Sequence, residues 1–392
     1  MTDLAVLGGR PVRSTLLPYA HQTIEADDLA AVQEALGADW ITQGPAVARF
    51  ERALAAQASV VHAVAFSNGT AALHGACWAA GLGPGDEAIT TPLTFAATAN
   101  AVVYQGARPV FADVDAASLN LDPDAVKRVV TARTRALLPV DFAGLPCDYE
   151  RLVPLAREHG WIVIADAAHS FGGSYHGRSV GALADMTTLS FHPAKLITTG
   201  EGGAVLTDRD DLAERLRVMR HHGIRYPDAT HPWRYEIPEP GNNYRLTDFQ
   251  SALGLSQLAK LDRFWERRDR LAGRYRDRLS GSPFVELPAL PRELRHGWHL
   301  FVVMLRLERL GADRDTIVDA LRAENIGATV HYPLVYRHTF YRDRFGDSAG
   351  LCPAAETLEA RLVTLPLFPA MTDNDQNDVL HALDKVLTHY AR

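Results

Sequence analysis

The sequence predicts an α/β protein with two parts, a large domain built on a doubly wound, mostly parallel sheet and a small C-terminal α/β domain. From residue 60 onward, short apolar strands alternate with amphipathic helices, a pattern typical of parallel sheets with helices on both faces. At 392 residues the chain exceeds one ordinary domain. A Pro-rich stretch at 281–291 separates a long helical segment from renewed alternation. We therefore expect one domain at 1–280, which includes N-terminal helices, and a second at 281–392.

The first half of the chain is predicted to contain two helices followed by strand–helix units. Apolar side chains at helical spacing predict a helix over 25–36, and Gly44-Pro45 breaks the chain before a second helix through Phe50 and Leu54. Strands at 60–66, 87–90 and 136–140 are each followed by a helix, at 71–80, 95–104 and 148–158 respectively. Two further strands are predicted at 109–112 and 161–165. Successive units of this kind place their strands side by side in one sheet.

The second half contains one long passage without a clear period. A strand at 204–207 and a helix at 210–220 precede residues 226–244, whose length favours a functional or interface loop over a connector. A long helix is predicted over 247–279. The small domain is predicted to contain a strand at 299–305, a helix at 313–324, a strand at 328–332 and a final helix opened by a capping box of Thr372 and Asp375.

Composition excludes several classes of protein. A formal charge of -7 and a pI near 6.1 argue against a nucleic-acid-binding protein. Cys77, Cys147 and Cys352 lie far apart without CxxC spacing, so neither disulfides nor a metal site is predicted. The chain begins without a signal-peptide pattern, and no apolar run approaches the roughly 20 residues that span a bilayer. We therefore expect a cytoplasmic protein that binds neither nucleic acid nor a membrane.

One lysine stands apart from the other three of the chain. Lys195 follows a short apolar strand and Pro193, and it precedes the turn Gly200-Glu201-Gly202-Gly203. Burial in such a place disfavours the ammonium form, which leaves a neutral amine able to form a Schiff base with a carbonyl. The alternative is a lysine at a strand end that pairs with a carboxylate such as Glu201, and the residues alone leave both interpretations open.

Other polar residues are predicted at the carboxyl ends of strands, where doubly wound sheets bind ligands. Gly69 and Thr70 begin a helix whose N-terminus favours an anion such as phosphate, unless they only cap it. Asp166 follows an apolar strand, so its carboxylate needs a cationic or hydrogen-bonding partner. The protonated pyridine nitrogen of pyridoxal 5'-phosphate (PLP) would serve, although an Asp that orders the next turn is an equal alternative.

Four further side chains fit the same kind of site. The candidates are His169 to support the ring or Asp166, Phe95 to stack on a flat cofactor, Ser190 to bind phosphate, and His192 to carry a proton or contact substrate. The ordinary alternative for the first two is core packing.

Five segments together resemble one enzyme family. They are Ser67-Asn68-Gly69-Thr70-Ala71-Ala72-Leu73, Asp166-Ala167-Ala168-His169, Ser190-Phe191-His192 through Lys195, Gly200-Glu201-Gly202-Gly203, and Gly241-Asn242-Asn243-Tyr244-Arg245. In this order they are similar to the DegT/StrS-type sugar aminotransferases, PLP enzymes of fold type I. The resemblance covers essentially the whole chain from Leu17 onward.

The resemblance implies a role for each candidate residue. Lys195 would form the Schiff base with PLP, Asp166 would pair the pyridinium nitrogen, and Phe95 would stack on the ring. Phosphate would be bound by Gly69, Thr70 and Ser190, together with Asn243 from a neighbouring subunit. The active sites would then be shared in a homodimer, which would give residues 226–244 a place at the interface.

The resemblance also implies transamination in two half-reactions. L-Glutamate would convert PLP to pyridoxamine phosphate with Lys195 as general base, and a keto-sugar would then receive the amino group. The loop around His192 is similar to enzymes that aminate C4 of nucleotide-linked 4-keto-6-deoxy sugars. Residues 92–100, 141–144 and 331–336 are similar to those acting on UDP-linked N-acetylhexosamine in pseudaminic acid biosynthesis. Candidate substrate contacts are His331, Tyr332 and Arg245, although Pro333-Leu334 departs from the usual order of that loop.

Other functions are open at this stage. Within the enzyme class, the acceptor could be a dTDP- or GDP-linked keto-sugar or an aminocyclitol ketone. A non-catalytic PLP-fold regulator would need a basic DNA-binding region, and no segment is left over to supply one. A nicotinamide dehydrogenase would show GxGxxG after a strand, and the chain has no such motif in that context.

Overall fold

A computed structural model describes residues 4–227, 230–231, 233–346 and 349–392. The strands in these residues are β1 (His62–Phe66), β2 (Glu87–Thr90), β3 (Arg108–Phe111), β4 (Thr134–Leu138), β5 (Ile162–Asp166), β6 (Ser174–Tyr175), β7 (Arg178–Ser179), β8 (Met186–Ser190), β9 (Gly203–Thr207), β10 (Val285–Glu286), β11 (Leu294–Arg295), β12 (Phe301–Leu305) and β13 (Leu362–Leu365). The α-helices are α1 (Ala26–Leu36), α2 (Pro45–Ala58), α3 (Gly69–Ala79), α4 (Ala97–Tyr104), α5 (Pro123–Val129), α6 (Tyr149–Glu158), α7 (Asp210–Arg220), α8 (Asp248–Leu258), α9 (Leu261–Leu279), α10 (Arg314–Ala323), α11 (Thr339–Phe345), α12 (Pro353–Glu359) and α13 (Asp373–His389).

A seven-stranded sheet in the described residues has the order β1-β9-β8-β5-β4-β2-β3. Strand β9 runs antiparallel to both of its neighbours, while the pairs from β8 through β3 are parallel. The predicted mostly parallel sheet is confirmed. Because β5 and β8 are adjacent and parallel, their last residues, Asp166 and Ser190, lie at the same edge of the sheet. Gly203, which begins β9, pairs with Ser190 at this edge.

Helices cover both faces of this sheet. Side chains that alternate along β5 divide between two hydrophobic clusters, with Val163 and Ala165 in one and Ile164 in the other. Helices α2 and α6 contribute to the first cluster, and α3, α4 and α7 contribute to the second. This arrangement confirms the predicted doubly wound architecture, and each strand therefore reads as a short apolar run rather than an alternating one.

A second, three-stranded sheet of β10, β12 and β13 lies in the C-terminal part of the chain. Its hydrophobic cluster includes residues of α10 and α13, but also Leu4 and Leu17 from the N-terminal segment. The backbone N–H of Ala5 donates to the carboxylate of Glu324 at 2.9 Å, which fixes this segment. The first residues of the chain therefore pack with the C-terminal part, while a domain division at residue 280 stays a prediction.

Two predicted elements are wrong. The helix expected over 247–279 is two helices, α8 and α9, and Lys260 lies between them with its Nζ 2.7 Å from Asp27 and 2.8 Å from Asp28. These ion pairs link the residue between α8 and α9 to α1. The strand expected at 328–332 is absent from the described residues except for a single bridge between Thr329 and Thr364, because β13 occupies the place beside β12. No helix in the described part of the chain is long and apolar enough to cross a bilayer.

Candidate active site

A cavity of about 1130 Å³ opens at the edge of the large sheet where β5 and β8 end. The predicted site residues that line it are Gly69, Thr70, Phe95, Asp166, His169, Ser190, His192, Lys195, His331 and Tyr332, and Glu201 lines it as well. They come from five strand ends or loops and from the C-terminal part of the chain. The fold thus brings together residues that are up to 263 positions apart, from Gly69 to Tyr332.

Lys195 lies on the loop that follows β8, and its side chain is partly buried. Its backbone N–H donates to the carbonyl of His192 at 2.8 Å, and its Nζ lies 3.2 Å from Nε2 of His299. Burial lowers the pKa of the Lys195 ammonium to about 8, opposed by the Asp166 carboxylate and assisted by the Arg268 guanidinium. A useful fraction of this amine is therefore neutral near pH 7 and able to attack a carbonyl.

Asp166 is the last residue of β5 and is 6% exposed. The hydroxyl of Thr98 donates to its Oδ2 at 2.7 Å, and the N–H of Ala168 donates to its Oδ1 at 3.2 Å. Burial raises the pKa of this carboxyl, and the hydrogen bonds and Lys195 oppose that shift. No cationic side chain of the described residues forms a salt bridge with it, so its charged form is favoured here only by these two hydrogen bonds and by the charge of Lys195.

The N-terminus of α3 closely approaches the end of β8. The side chain of Asn68 caps the helix by accepting from the N–H of Ala71 at 2.8 Å. A Cβ at position 69 would lie 2.8 Å from Cβ of Ser190, so glycine is required for this approach. Gly69, Thr70 and Ser190 thus form a small cradle at the N-terminus of α3, where the first N–H groups of a helix are suited to bind an anion.

Replacing Gly69 by alanine should weaken the binding of PLP by about 10- to 100-fold, because the added methyl group separates α3 from Ser190. Titration of the cofactor-free protein with PLP, followed by absorbance, measures this change. Gly273→Ala is the matched control, since a Cβ there has nothing within 4 Å. Native affinity in a folded Gly69→Ala protein would contradict the phosphate cradle.

Histidine and tyrosine side chains form one wall of the cavity. The Tyr332 hydroxyl lies 3.1 Å from Nε2 of His169, and the rings of His169 and His299 are 4.3 Å apart. His331 Nδ1 lies 2.9 Å from the hydroxyl of Thr364. Burial lowers the pKa of His331 to about 4, and it lowers the pKa values of His169 and His299 well below the ordinary range. These rings are therefore neutral near pH 7.

Phe95 and His192 lie at the mouth of the cavity. The Phe95 side chain is 61% exposed, and its ring centroid is 6.0 Å from that of Tyr332. His192 is exposed, and its Nδ1 accepts from the N–H of Ala194 at 3.2 Å. Because Phe95 lines the cavity and most of its side chain is exposed, its ring is available to stack on a planar ligand.

Two predicted site residues lie outside this cavity in the single chain. Asn243 is exposed and forms an isolated antiparallel β-bridge with His221. Arg245 donates from Nη1 to Nδ1 of the same His221 at 2.8 Å. Arg245 lines a different cavity of about 470 Å³. Their contribution to a neighbouring subunit's site stays a prediction. The predicted interface loop at 226–244 is described except for residues 228, 229 and 232, which lie outside the described residues.

Sequence reasoning missed Thr98, His299 and Tyr19, which contact or line the site. Thr98 follows Phe95 by three positions in the predicted helix, so helical spacing could have placed it beside Phe95. His299 begins a strand predicted for the other domain, and nothing near it in the sequence points to Lys195, 104 positions away. Tyr19 lines the cavity from the N-terminal segment, where its ring lies 5.1 Å from that of His331.

The DegT/DnrJ/EryC1/StrS aminotransferase family matches residues 22–384 of the chain. The chain belongs to this family. The spore coat polysaccharide biosynthesis protein SpsC of Bacillus subtilis is 40% identical over 382 residues, 96% of this chain and 98% of the relative. Its match and the family description confirm the resemblance inferred from the five motifs.

Solved structures of family members superimpose on this aminotransferase closely. Helicobacter pylori PseC, an aminotransferase involved in the biosynthesis of pseudoaminic acid, matches with a TM-score of 0.90 and 30% identity over 96% of this chain and all of PseC. DesV of S. venezuelae, solved with a ketimine intermediate, matches with a TM-score of 0.85 and 34% identity, over 92% of this chain and 94% of DesV. A putative sugar aminotransferase of Streptococcus pneumoniae, solved in its PLP form, has a TM-score of 0.89 and 26% identity over 95% of this chain and 99% of its own.

These findings confirm the predicted fold type I architecture, the PLP cofactor and the enzyme class. The protein is a PLP-dependent sugar aminotransferase, and the alternatives of a non-catalytic regulator and a nicotinamide dehydrogenase are set aside. The acceptor sugar, its nucleotide and the roles of individual residues go beyond what family membership establishes.

Proposed function

We propose that this aminotransferase moves the amino group of L-glutamate to C4 of a nucleotide-linked 4-keto-6-deoxy sugar, with UDP-linked N-acetylhexosamine as the acceptor. One observation carries the proposal: a single cavity of about 1130 Å³ contains both a reactive amine and a buried carboxylate. A cavity for one small ligand is usually about 300–1,000 Å³, so this one has room for the cofactor and a nucleotide sugar together. The similarity to PseC supports the choice of acceptor.

The residues of the cavity fit PLP. The buried Asp166 carboxylate forms no salt bridge with a described side chain, and the pyridinium nitrogen would supply a directly paired cation. Gly69, Thr70 and Ser190 would hold the phosphate, and Phe95 would cover a face of the ring. His169, which lies on the loop after Asp166 and whose ring is 4.3 Å from that of His299, would support the ring or Asp166. When bound, PLP supplies an electron sink for the negative charge that develops beside the amino-bearing carbon.

Lys195 would first hold the cofactor and then move a proton. Once released by the donor amine, the Nζ of Lys195 would be free to take up the donor's α-proton. Since burial lowers the Lys195 pKa to about 8, Nζ both takes up a proton and releases it near neutral pH, as a general base and acid must. The same Nζ would return the proton to the sugar carbon in the second half-reaction.

The sugar would bind against the wall of histidine and tyrosine side chains. His331 and Tyr332 line this wall, with Tyr19 beside them. Their neutral rings and hydroxyls suit the hydroxyl groups of a sugar better than a charged ligand. His192, at the mouth, would contact the substrate or carry a proton. Arg245 would reach the sugar nucleotide only from a second copy of the chain, as would Asn243 for the phosphate.

Two further parts of the proposal concern the state of the protein. We propose a homodimer with shared sites, because Asn243 and Arg245 lie outside the cavity of their own chain. We propose a cytoplasmic enzyme, because Cys77, Cys147 and Cys352 are all free and buried, as suits a reducing compartment.

The visible absorption spectrum of the purified holoenzyme tests this function. L-Glutamate should bleach the band of bound PLP, and UDP-4-keto-6-deoxy-N-acetylhexosamine should restore it. Recovery with dTDP- or GDP-linked keto-sugars alone, or with an aminocyclitol ketone alone, would contradict the proposed acceptor. If glutamate does not bleach the band and a different amino acid does, the proposed donor is contradicted.

A further inference from the structure

His299 lies directly against the amine of Lys195. Its Nε2 is 3.2 Å from Lys195 Nζ, the residue is 3% exposed, and its Nδ1 has no hydrogen-bond partner among the described residues. We propose that His299 is a positioning residue that holds the Lys195 Nζ in place in both protonation states of the lysine. This inference rests on the proposed role of Lys195.

A neutral imidazole is suited to this task because one ring nitrogen donates a hydrogen bond while the other accepts. Toward a Lys195 ammonium, Nε2 of His299 accepts; toward a neutral amine, Nε2–H donates to the lone pair. In most buried histidines a bond at the second nitrogen selects one tautomer. Nδ1 of His299 makes no such bond to the described residues, so the tautomer is free to follow the proton on Lys195.

The His299 backbone is held by a buried arginine of α9. Arg268 is 0% exposed, and its Nη1 donates to the carbonyls of Trp298 and His299 at 3.1 Å each and to that of Leu367 at 2.9 Å. Its Nη2 lies 3.5 Å from the carbonyl of Ala194, the residue before Lys195. One guanidinium thus fixes the backbone on both sides of the Lys195–His299 contact.

Five other charged or titratable groups interact with the charge of Lys195. Asp166 lies at the end of β5, Arg268 on α9, His169 on the loop after β5, His192 on the loop after β8, and His331 in the C-terminal part. Burial lowers the pKa of each of the three histidines, which favours their neutral forms. The hydrogen bond that Nε2 of His299 accepts from a charged Lys195 is stronger than the bond it makes to the neutral amine. Loss of this acceptor should therefore favour the neutral form of Lys195.

Labelling of the cofactor-free enzyme measures this effect without turnover. Trinitrobenzenesulfonate reacts with neutral amines, and peptide mass spectrometry separates Lys195 from the other three lysines of the chain. In His299→Leu, the pH of half-maximal labelling at Lys195 should fall by about one unit. In His299→Gln it should stay native, because the amide can present either its oxygen or its N–H at the place of Nε2.

His296→Asn is the matched control. His296 is buried in the same segment, its Nδ1 accepts from the N–H of Trp298 at 2.8 Å, and an Asn oxygen can take that bond. The labelling midpoint of this variant should be native. If His299→Leu does not fold, His299→Asn replaces it, since its short amide stops at the Nδ1 position, and the same downward shift is expected.

A folded His299→Leu or His299→Asn protein with a native labelling midpoint would overturn the proposal. This outcome would leave the role of Lys195 untouched, because that role is tested separately by the covalent bond to PLP in the holoenzyme. Conversely, native turnover in Lys195→Ala would show that Lys195 is not the reacting amine. The His299 proposal would then fail with it, whatever the labelling result.

Discussion

Replacing Lys195 by alanine should reduce transamination by at least about 10³-fold, because the same amine is proposed to bind the cofactor and to move the proton. The fold should persist, since the hydrogen bond of Nζ is to His299 at the cavity wall and not to the hydrophobic core. Turnover with L-glutamate and the keto-sugar measures the loss. Borohydride reduction of the holoenzyme, followed by peptide mass spectrometry, locates the residue that carries the cofactor.

Lys127→Ala is the matched control for this change. Lys127 lies on α5 with a 56% exposed side chain that pairs with the carboxylate of Asp124 on the same helix, so its loss should leave turnover native. Wild-type turnover in Lys195→Ala, or cofactor reduced onto a different lysine, would refute the assignment. Lys195→Arg should be nearly as inactive as the alanine variant, because a guanidinium does not deprotonate near neutral pH.

Replacing Asp166 by asparagine should lower turnover by at least about 10²-fold, equivalent to about 3 kcal/mol of activation free energy. The reason is that a neutral amide stabilises the protonated pyridine ring poorly, and an unprotonated ring is a weaker electron sink. Cofactor affinity should fall as well. Single-turnover loss of the visible PLP band with L-glutamate separates the rate effect from the binding effect, and a native rate at saturating PLP would contradict the pairing.

Thr98→Val tests the same carboxylate through its pH dependence. The Thr98 hydroxyl donates to Asp166 Oδ2 at 2.7 Å and lowers the pKa that burial raises. Its removal should raise the Asp166 pKa, so the acid side of the pH–rate profile should move to higher pH, since the carboxylate must be ionised. Thr98→Ser keeps the hydroxyl and should keep the native profile. An unchanged profile in Thr98→Val would show that this bond does not tune the carboxylate.

Local patterns in the sequence predicted much of the fold and part of the site. Short apolar runs alternating with helices led to the doubly wound sheet, and the position of Asp166 after such a run placed it at the end of β5. The capping box of Thr372 and Asp375 opens α13 as predicted. These features depend on residues close together in the chain, whose spacing records backbone preference and burial directly. The five motifs then identified the family.

Contacts between distant residues were decided only by the tertiary structure. Thr98 meets Asp166 across 68 positions, and Lys195 meets His299 across 104. Arg268 lies on a helix whose charged pattern resembles a solvated face, yet it is fully buried against four backbone carbonyls. No spacing rule reports such pairs, because they depend on which elements pack together. The depressed pKa of Lys195 has the same origin, since desolvation is a property of the packed environment and not of the lysine's neighbours in sequence.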